Sequence, residues 1–143
     1  MDKIKVLFLC IHNSARSQMA EAYLKHFGGE RFEVESAGLE PGKLNPLVIE
    51  VLREDGIDIS NNQTNDVFEF FKQGKRFHYV ITVCDAGSSA RCPIFPGMTK
   101  KIAWDFPDPS VFTGTHEEKL AKTRGVRNNI KAAVKRFLSE ENV

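Results

Sequence analysis

The sequence predicts a single α/β domain built on a doubly wound, four-stranded parallel sheet flanked by helices. Three observations carry this. Short apolar runs alternate with segments of helical periodicity along the 143 residues. The first run, "KIKVLFLC" (3–10), is apolar almost without interruption, as a strand buried on both faces must be. No linker, internal repeat or low-complexity tract divides the chain, so residues 1–143 are expected to form one domain.

The elements follow in order. After the first strand, Met19, Ala20, Tyr23, Leu24 and Phe27 recur at helical spacing, and Gly28-Gly29 ends that helix. "FEVESAG" (32–38) alternates as a second strand. Asn45-Pro46 reads as an N-cap followed by proline at the first helical position, with Leu47, Val48, Val51 and Leu52 forming the apolar stripe. "DVFEFFKQG" (66–74) predicts a short helix, and "FHYVITVC" (77–84) a third strand. A Gly-, Ser-, Ala- and Pro-rich loop over 85–99 precedes a last strand, "KKIAW" (100–104), whose Trp104 should pack its end. Thr115 and Glu118 have capping-box spacing. They open a long helix with Val126, Ile130, Val134, Phe137 and Leu138 on one face, interrupted by Gly125.

Composition narrows the function. With 20 basic and 19 acidic residues the net charge is +1, which gives no support for binding nucleic acid or a membrane surface. The basic cluster Arg124, Arg127, Lys131, Lys135 and Arg136 is expected to be a solvated helix face. No stretch resembles a signal peptide or a membrane span, so a cytoplasmic monomer is expected. Its three cysteines would then be free thiols. Together with four histidines they match no zinc spacing.

Chemistry points to the loop after the first strand. Cys10 and Arg16 enclose Ile11, His12, Asn13, Ser14 and Ala15, at a strand-to-helix switch. In doubly wound folds ligands sit beyond the carboxyl ends of strands. A chain turning there directs backbone N–H groups inward beside a helix N-terminus, which forms an anion cradle. The Arg16 fork suits two oxygens of a tetrahedral oxyanion. The same positive field would favour a thiolate at Cys10, so nucleophile and holder serve one substrate. Asn13 tolerates the left-handed backbone of a tight loop, and the Ser17 hydroxyl can hydrogen-bond the sulfur.

Cys10-x5-Arg16-Ser17 near the N-terminus resembles the low-molecular-weight protein tyrosine phosphatases and, more closely, their relatives the thioredoxin-coupled arsenate reductases. "HNSARSQMAEA", "SAG" (36–38), "LNP" (44–46) and "GIDIS" (56–60) extend the resemblance over nearly the whole chain. It implies a phosphatase-like fold, with residues 11–17 binding the oxyanion. Asp108, in "DFPDPSV", matches the general acid of that family, although Ser110 stands where the phosphatases usually have tyrosine.

The remaining thiols, Cys84 and Cys92, favour the reductase branch. Reducing arsenate takes two electrons, and the sequence has no signature for a flavin, haem or nicotinamide. Two thiols becoming a disulfide supply them. The resemblance implies that Cys10 attacks arsenic(V) while Asp108 protonates the departing hydroxyl. Cys84 then attacks the Cys10 sulfur and releases arsenic(III), and Cys92 attacks Cys84 and moves the disulfide outward for thioredoxin to reduce. Seven residues separate Cys84 from Cys92, one more than the family pattern, and Ala15 replaces a cysteine found in several relatives. No cofactor is expected to be bound, but some relatives hold potassium beside the loop, and that ligand set maps onto Asn13, Glu21, Ser36 and Asp66. Two alternatives stay open: a phosphatase acting on phosphate monoesters, and a sensor that binds an oxyanion or arsenite without turnover.

Overall fold

The computed structural model describes residues 3–83, 95 and 97–141. Four parallel strands form one sheet in the order β2-β1-β3-β4: β1 (Ile4–Cys10), β2 (Phe32–Gly38), β3 (Tyr79–Thr82) and β4 (Lys100–Ala103). The helices are α1 (Arg16–Gly28), α2 (Pro46–Arg53), α3 (Val67–Lys72) and α4 (His116–Glu141). The doubly wound α/β class read from the sequence is the one observed.

β1 is apolar from Val6 to Cys10 because both of its faces are covered there. Val6, Phe8 and Cys10 join the core shared with α1, α2 and α4, whereas Leu7 and Leu9 enter a second core with Val67 and Phe70 of α3. β1 also pairs on both edges, with Cys10 opposite Gly38 of β2 and Leu9 opposite Thr82 of β3. The connection from β1 runs to one side and the return from β2 crosses to the other. The strand order therefore reverses beside β1, and Cys10 stands at that crevice.

Local signals set the helix ends. Asn45 Oδ1 accepts the Leu47 N–H at 2.9 Å, with Pro46 in the first turn of α2. Thr115 Oγ1 accepts the Glu118 N–H at 3.1 Å, and the Glu118 carboxylate reaches back to the Thr115 N–H at 3.4 Å, which closes the capping box of α4. Trp104 packs among Phe8, Phe106 and Phe137 at the end of β4. β3 starts later than its apolar run, because the His78 ring Nδ1 accepts the Lys5 N–H at 2.9 Å ahead of the regular ladder.

Arg124, Arg127 and Lys131 correct the expectation of a solvated basic face on α4, whereas Lys135 and Arg136 are exposed as expected. Arg124 grips both oxygens of Glu54 at 3.0 Å. Arg127 donates to the Val51 carbonyl at 2.9 Å and to Glu54 at 2.8 Å. Lys131 shares Asp55 with the Tyr23 hydroxyl, at 3.2 and 2.6 Å. Lys135 lies over the Phe27 ring. The partners gather at the C-terminal end of α2, where exposed carbonyls favour cations. Burial, reinforced by Asp55, pushes the Tyr23 phenol far above its usual range. The Tyr23 hydroxyl, with Lys131 and Arg127, holds the Asp55 carboxyl below its usual range despite partial burial.

Two outcomes follow from this packing. Gly125 is exposed within α4, and a Cβ there meets nothing within 4 Å. Gly125→Ala should therefore stabilise by about 1 kcal/mol, read as a rise of about 2–4 °C in thermal midpoint. Asp55 is depressed in the folded state, so its contribution is present above the unfolded carboxylate range and lost as pH falls through the folded value. Asp55→Asn should lower stability at pH 7 by about 1–2 kcal/mol and flatten the decline of the midpoint below about pH 4, as followed by thermal melts across pH.

Candidate active site

The turn between β1 and α1 is held from outside by its own main chain. The carbonyls of Cys10, Ile11, His12 and Ser14 accept N–H groups of Leu39, Glu40, Gly42 and Asn45 at 3.2, 2.7, 2.9 and 2.9 Å. The Asn13 carbonyl accepts the Gln18 amide at 3.1 Å. In a trans peptide the N–H of the next residue points opposite to the carbonyl. Five carbonyls drawn outward therefore aim the N–H groups of residues 11–15 the other way, into the hollow of the turn. Asn13 takes the left-handed backbone expected of it, at φ 54°. Gly38 makes room beneath: a Cβ there would sit 2.7 Å from the Ile11 carbonyl and 2.9 Å from the Asn13 nitrogen.

Cys10 and Arg16 are both buried, at 4% exposure, at the two ends of this turn. Arg16 Nη1 donates to the Phe106 carbonyl at 3.0 Å, and Nη2 lies 3.5 Å from Asp108 Oδ2. Its Nε is buried and has no hydrogen-bond partner among the described residues. Such a donor is costly to leave unpaired, so it marks a place for an acceptor. Asp108 is oriented by the Ser110 N–H, which donates to Oδ1 at 2.9 Å. The structure thus brings together Cys10, the loop, Arg16 and Asp108.

The surrounding polar residues form one network. Asn13 Nδ2 donates to Ser17 Oγ at 2.8 Å, and Asn13 Oδ1 accepts the Asn65 N–H at 2.8 Å. Gln18 is fully buried, and its amide also reaches Asn13 Oδ1 and the Gln63 carbonyl. Gln18 and Asn65 were not singled out from sequence. A polar residue on the buried side of α1 is the signal that could have found Gln18; Asn65 had none. His12 is exposed, and its Nδ1 donates to the Glu40 carbonyl at 2.9 Å, so the ring turns away from the hollow.

Of the residues mapped to a potassium site, Glu21 accepts the Ser36 hydroxyl and the Lys25 ammonium. The Ser36 carbonyl accepts the Asn65 side-chain amide at 2.9 Å. Asp66 Oδ1 instead caps α3 by accepting the Phe68 N–H at 2.8 Å. Cys84 and Cys92 lie outside the described residues. The chain does run beside β1 as far as Val83, whose N–H donates to the Leu9 carbonyl at 3.0 Å.

Beside the turn opens a cleft of about 480 Å³, lined among others by Ser14, Lys43, Asn45, Ser110, His116 and Lys119. Its cationic groups suit an approaching anion. Gly38→Ala should displace the turn and cost about 1–3 kcal/mol. Thermal melts with and without inorganic phosphate should show both the lower midpoint and a smaller phosphate-induced rise than in the unaltered protein.

Comparison with known proteins agrees with this geometry. The sequence profile for low molecular weight phosphotyrosine protein phosphatase matches residues 5–143. An arsenate reductase of Bacillus licheniformis is 41% identical over 140 residues, covering 96% of each chain. A solved arsenate reductase in its phosphate-binding state superposes with a TM-score of 0.77 at 30% identity, over 96% of this chain and 98% of the other. A thioredoxin-dependent arsenate reductase of Corynebacterium glutamicum superposes with a TM-score of 0.63 at 30% identity, over 93% of this chain and 62% of the other. With a turn of inward amides between Cys10 and Arg16, Asp108 beside the guanidinium and a profile match over nearly its full length, the chain belongs to the low molecular weight phosphotyrosine protein phosphatase family, and arsenate reductases are among its relatives.

Proposed function

We propose that the protein reduces arsenate to arsenite. The observation that carries the reading is the buried, unpartnered Arg16 Nε at the end of a turn whose amides converge beside the Cys10 thiol. That arrangement matches a tetrahedral oxyanion presented to sulfur. The names of relatives at about 40% identity support arsenate as the oxyanion.

The residues divide the work as follows. The amides of residues 11–15 and the Arg16 fork bind the oxyanion and spread its charge. Ser17, with one lone pair occupied by Asn13, has its hydroxyl proton left to donate towards the Cys10 sulfur. The Cys10 thiolate attacks arsenic(V), and Asp108 gives its proton to the departing hydroxyl, which leaves as water. Cys84 then attacks the Cys10 sulfur. The sulfur–arsenic electron pair goes to arsenic, arsenite leaves, and a Cys10–Cys84 disulfide remains. Cys92 attacks Cys84 and frees Cys10. Two thiols have supplied the two electrons, and a thioredoxin dithiol restores Cys84 and Cys92. The thioredoxin-dependent relative supports that choice of reductant.

A second reading, hydrolysis of phosphate monoesters, is favoured by the family match and by Asp108 beside Arg16. It needs neither Cys84 nor Cys92. Cys92→Ser should release one equivalent of arsenite per protein and then fail to cycle with thioredoxin, as read by arsenite release and disulfide mapping. Sustained cycling would reject the relay. Aryl phosphate hydrolysis that is strong and survives loss of both Cys84 and Cys92 would favour the phosphatase.

A further inference from the structure

Glu21 poses a problem that the catalytic reading does not absorb. Its side chain is only 11% exposed, and a carboxylate so placed needs a counter-charge. The family resemblance would provide one in a potassium ion held with Asn13, Ser36 and Asp66. With Lys25 in place these residues do not fit an added ion. Protein donors already meet these groups: Asn13 Oδ1 has the Asn65 N–H and Gln18, the Ser36 carbonyl has Asn65, and Asp66 Oδ1 has the Phe68 N–H. The two Glu21 oxygens face the Ser36 hydroxyl and, at 2.5 Å, the Lys25 ammonium.

The geometry points to Lys25 as a built-in replacement for that cation. Glu21 and Lys25 are one helical turn apart, in the favourable order with the acid first. The lysine side chain is 56% exposed, so its stem can lie along α1 while the ammonium keeps water on its outer side. Its charge is compact and carries three donors, which suits a site shaped for a small monovalent ion. From Glu21 the contacts run through Ser36, Asn65 and Asn13 to Ser17, next to the nucleophile's helix start. Lys25 is therefore a positioning residue: it neutralises the acid at the root of the network that braces the turn. The consequence is a protein indifferent to potassium.

Thermal midpoints test this without oxyanion or reductant, so the result is independent of whether arsenate is the substrate. The comparison is potassium chloride against tetramethylammonium chloride, whose cation is too bulky to enter, at equal ionic strength. The unaltered protein should melt within about 1 °C in the two salts. Lys25→Met should melt at least about 3 °C lower in tetramethylammonium chloride and recover half or more of that loss in potassium chloride. Adding Glu21→Gln to Lys25→Met should abolish the potassium response, since no buried charge then calls for a cation. A potassium-specific rise of about 3 °C or more in the unaltered protein would overturn the proposal. So would a Lys25→Met variant with no potassium-specific recovery, or a double variant that still responds to potassium.

Discussion

The site rests on main-chain bonds that pull the carbonyls of one turn outward. Leu39, Glu40, Gly42 and Asn45 supply the donors, and all four lie in the segment between β2 and α2. Because each peptide is planar, this tethering decides where the opposite N–H groups point. The hollow lined by these amides is thus made before any ligand arrives, and its geometry depends on how closely β2 approaches β1. The pairing of Cys10 with Gly38 sets that approach, and the missing side chain at Gly38 permits it. Fold and chemistry meet in this pair: the crossover that reverses the strand order also delivers the tethering segment.

Helix α1 has two buried faces of different character. Met19, Ala20, Tyr23 and Leu24 enter the apolar core, while Ser17, Gln18 and Glu21 are buried against the turn and the end of β2. Six of the eight buried polar residues among the described ones belong to this neighbourhood: Asn13, Arg16, Ser17, Gln18, Glu21 and Ser36. Buried polar groups hold a unique arrangement only when paired, and here all but Arg16 Nε are paired within the described residues. The exception lies at the end of the turn, where the proposed oxyanion would sit. A network otherwise closed, with one donor left for an incoming ligand, is preorganised rather than induced.

Much of this could be read from the residues in order. β1 was legible because burial on both faces leaves the unbroken apolar run from Val6 to Cys10, and α2 and α4 because Asn45-Pro46 and the Thr115–Glu118 pair act locally. Asn13 was legible for its backbone, since few side chains accept a positive φ. What escaped depends on contacts distant in sequence. The basic residues of α4 look solvated until Glu54 and Asp55, some seventy positions earlier, are folded against them. Gln18 gains its meaning only when residues 62–63 close over it. Asn65 is an ordinary loop residue until it bridges Asn13 and Ser36. The start of β3 was blurred for the same reason, by a side-chain nitrogen taking a ladder position at His78.

The tether has an evolutionary consequence. Its bonds are formed by backbone atoms, and the side chains of Ile11, His12 and Ser14 are not fully buried. Those three positions can change residue type without altering the direction of a single amide. On the proposed function, a lineage could exchange them to tune which tetrahedral species is preferred, or how fast it leaves, while keeping the surroundings of Cys10 intact. The scaffold thus separates what must be inherited unchanged from what is free to diversify.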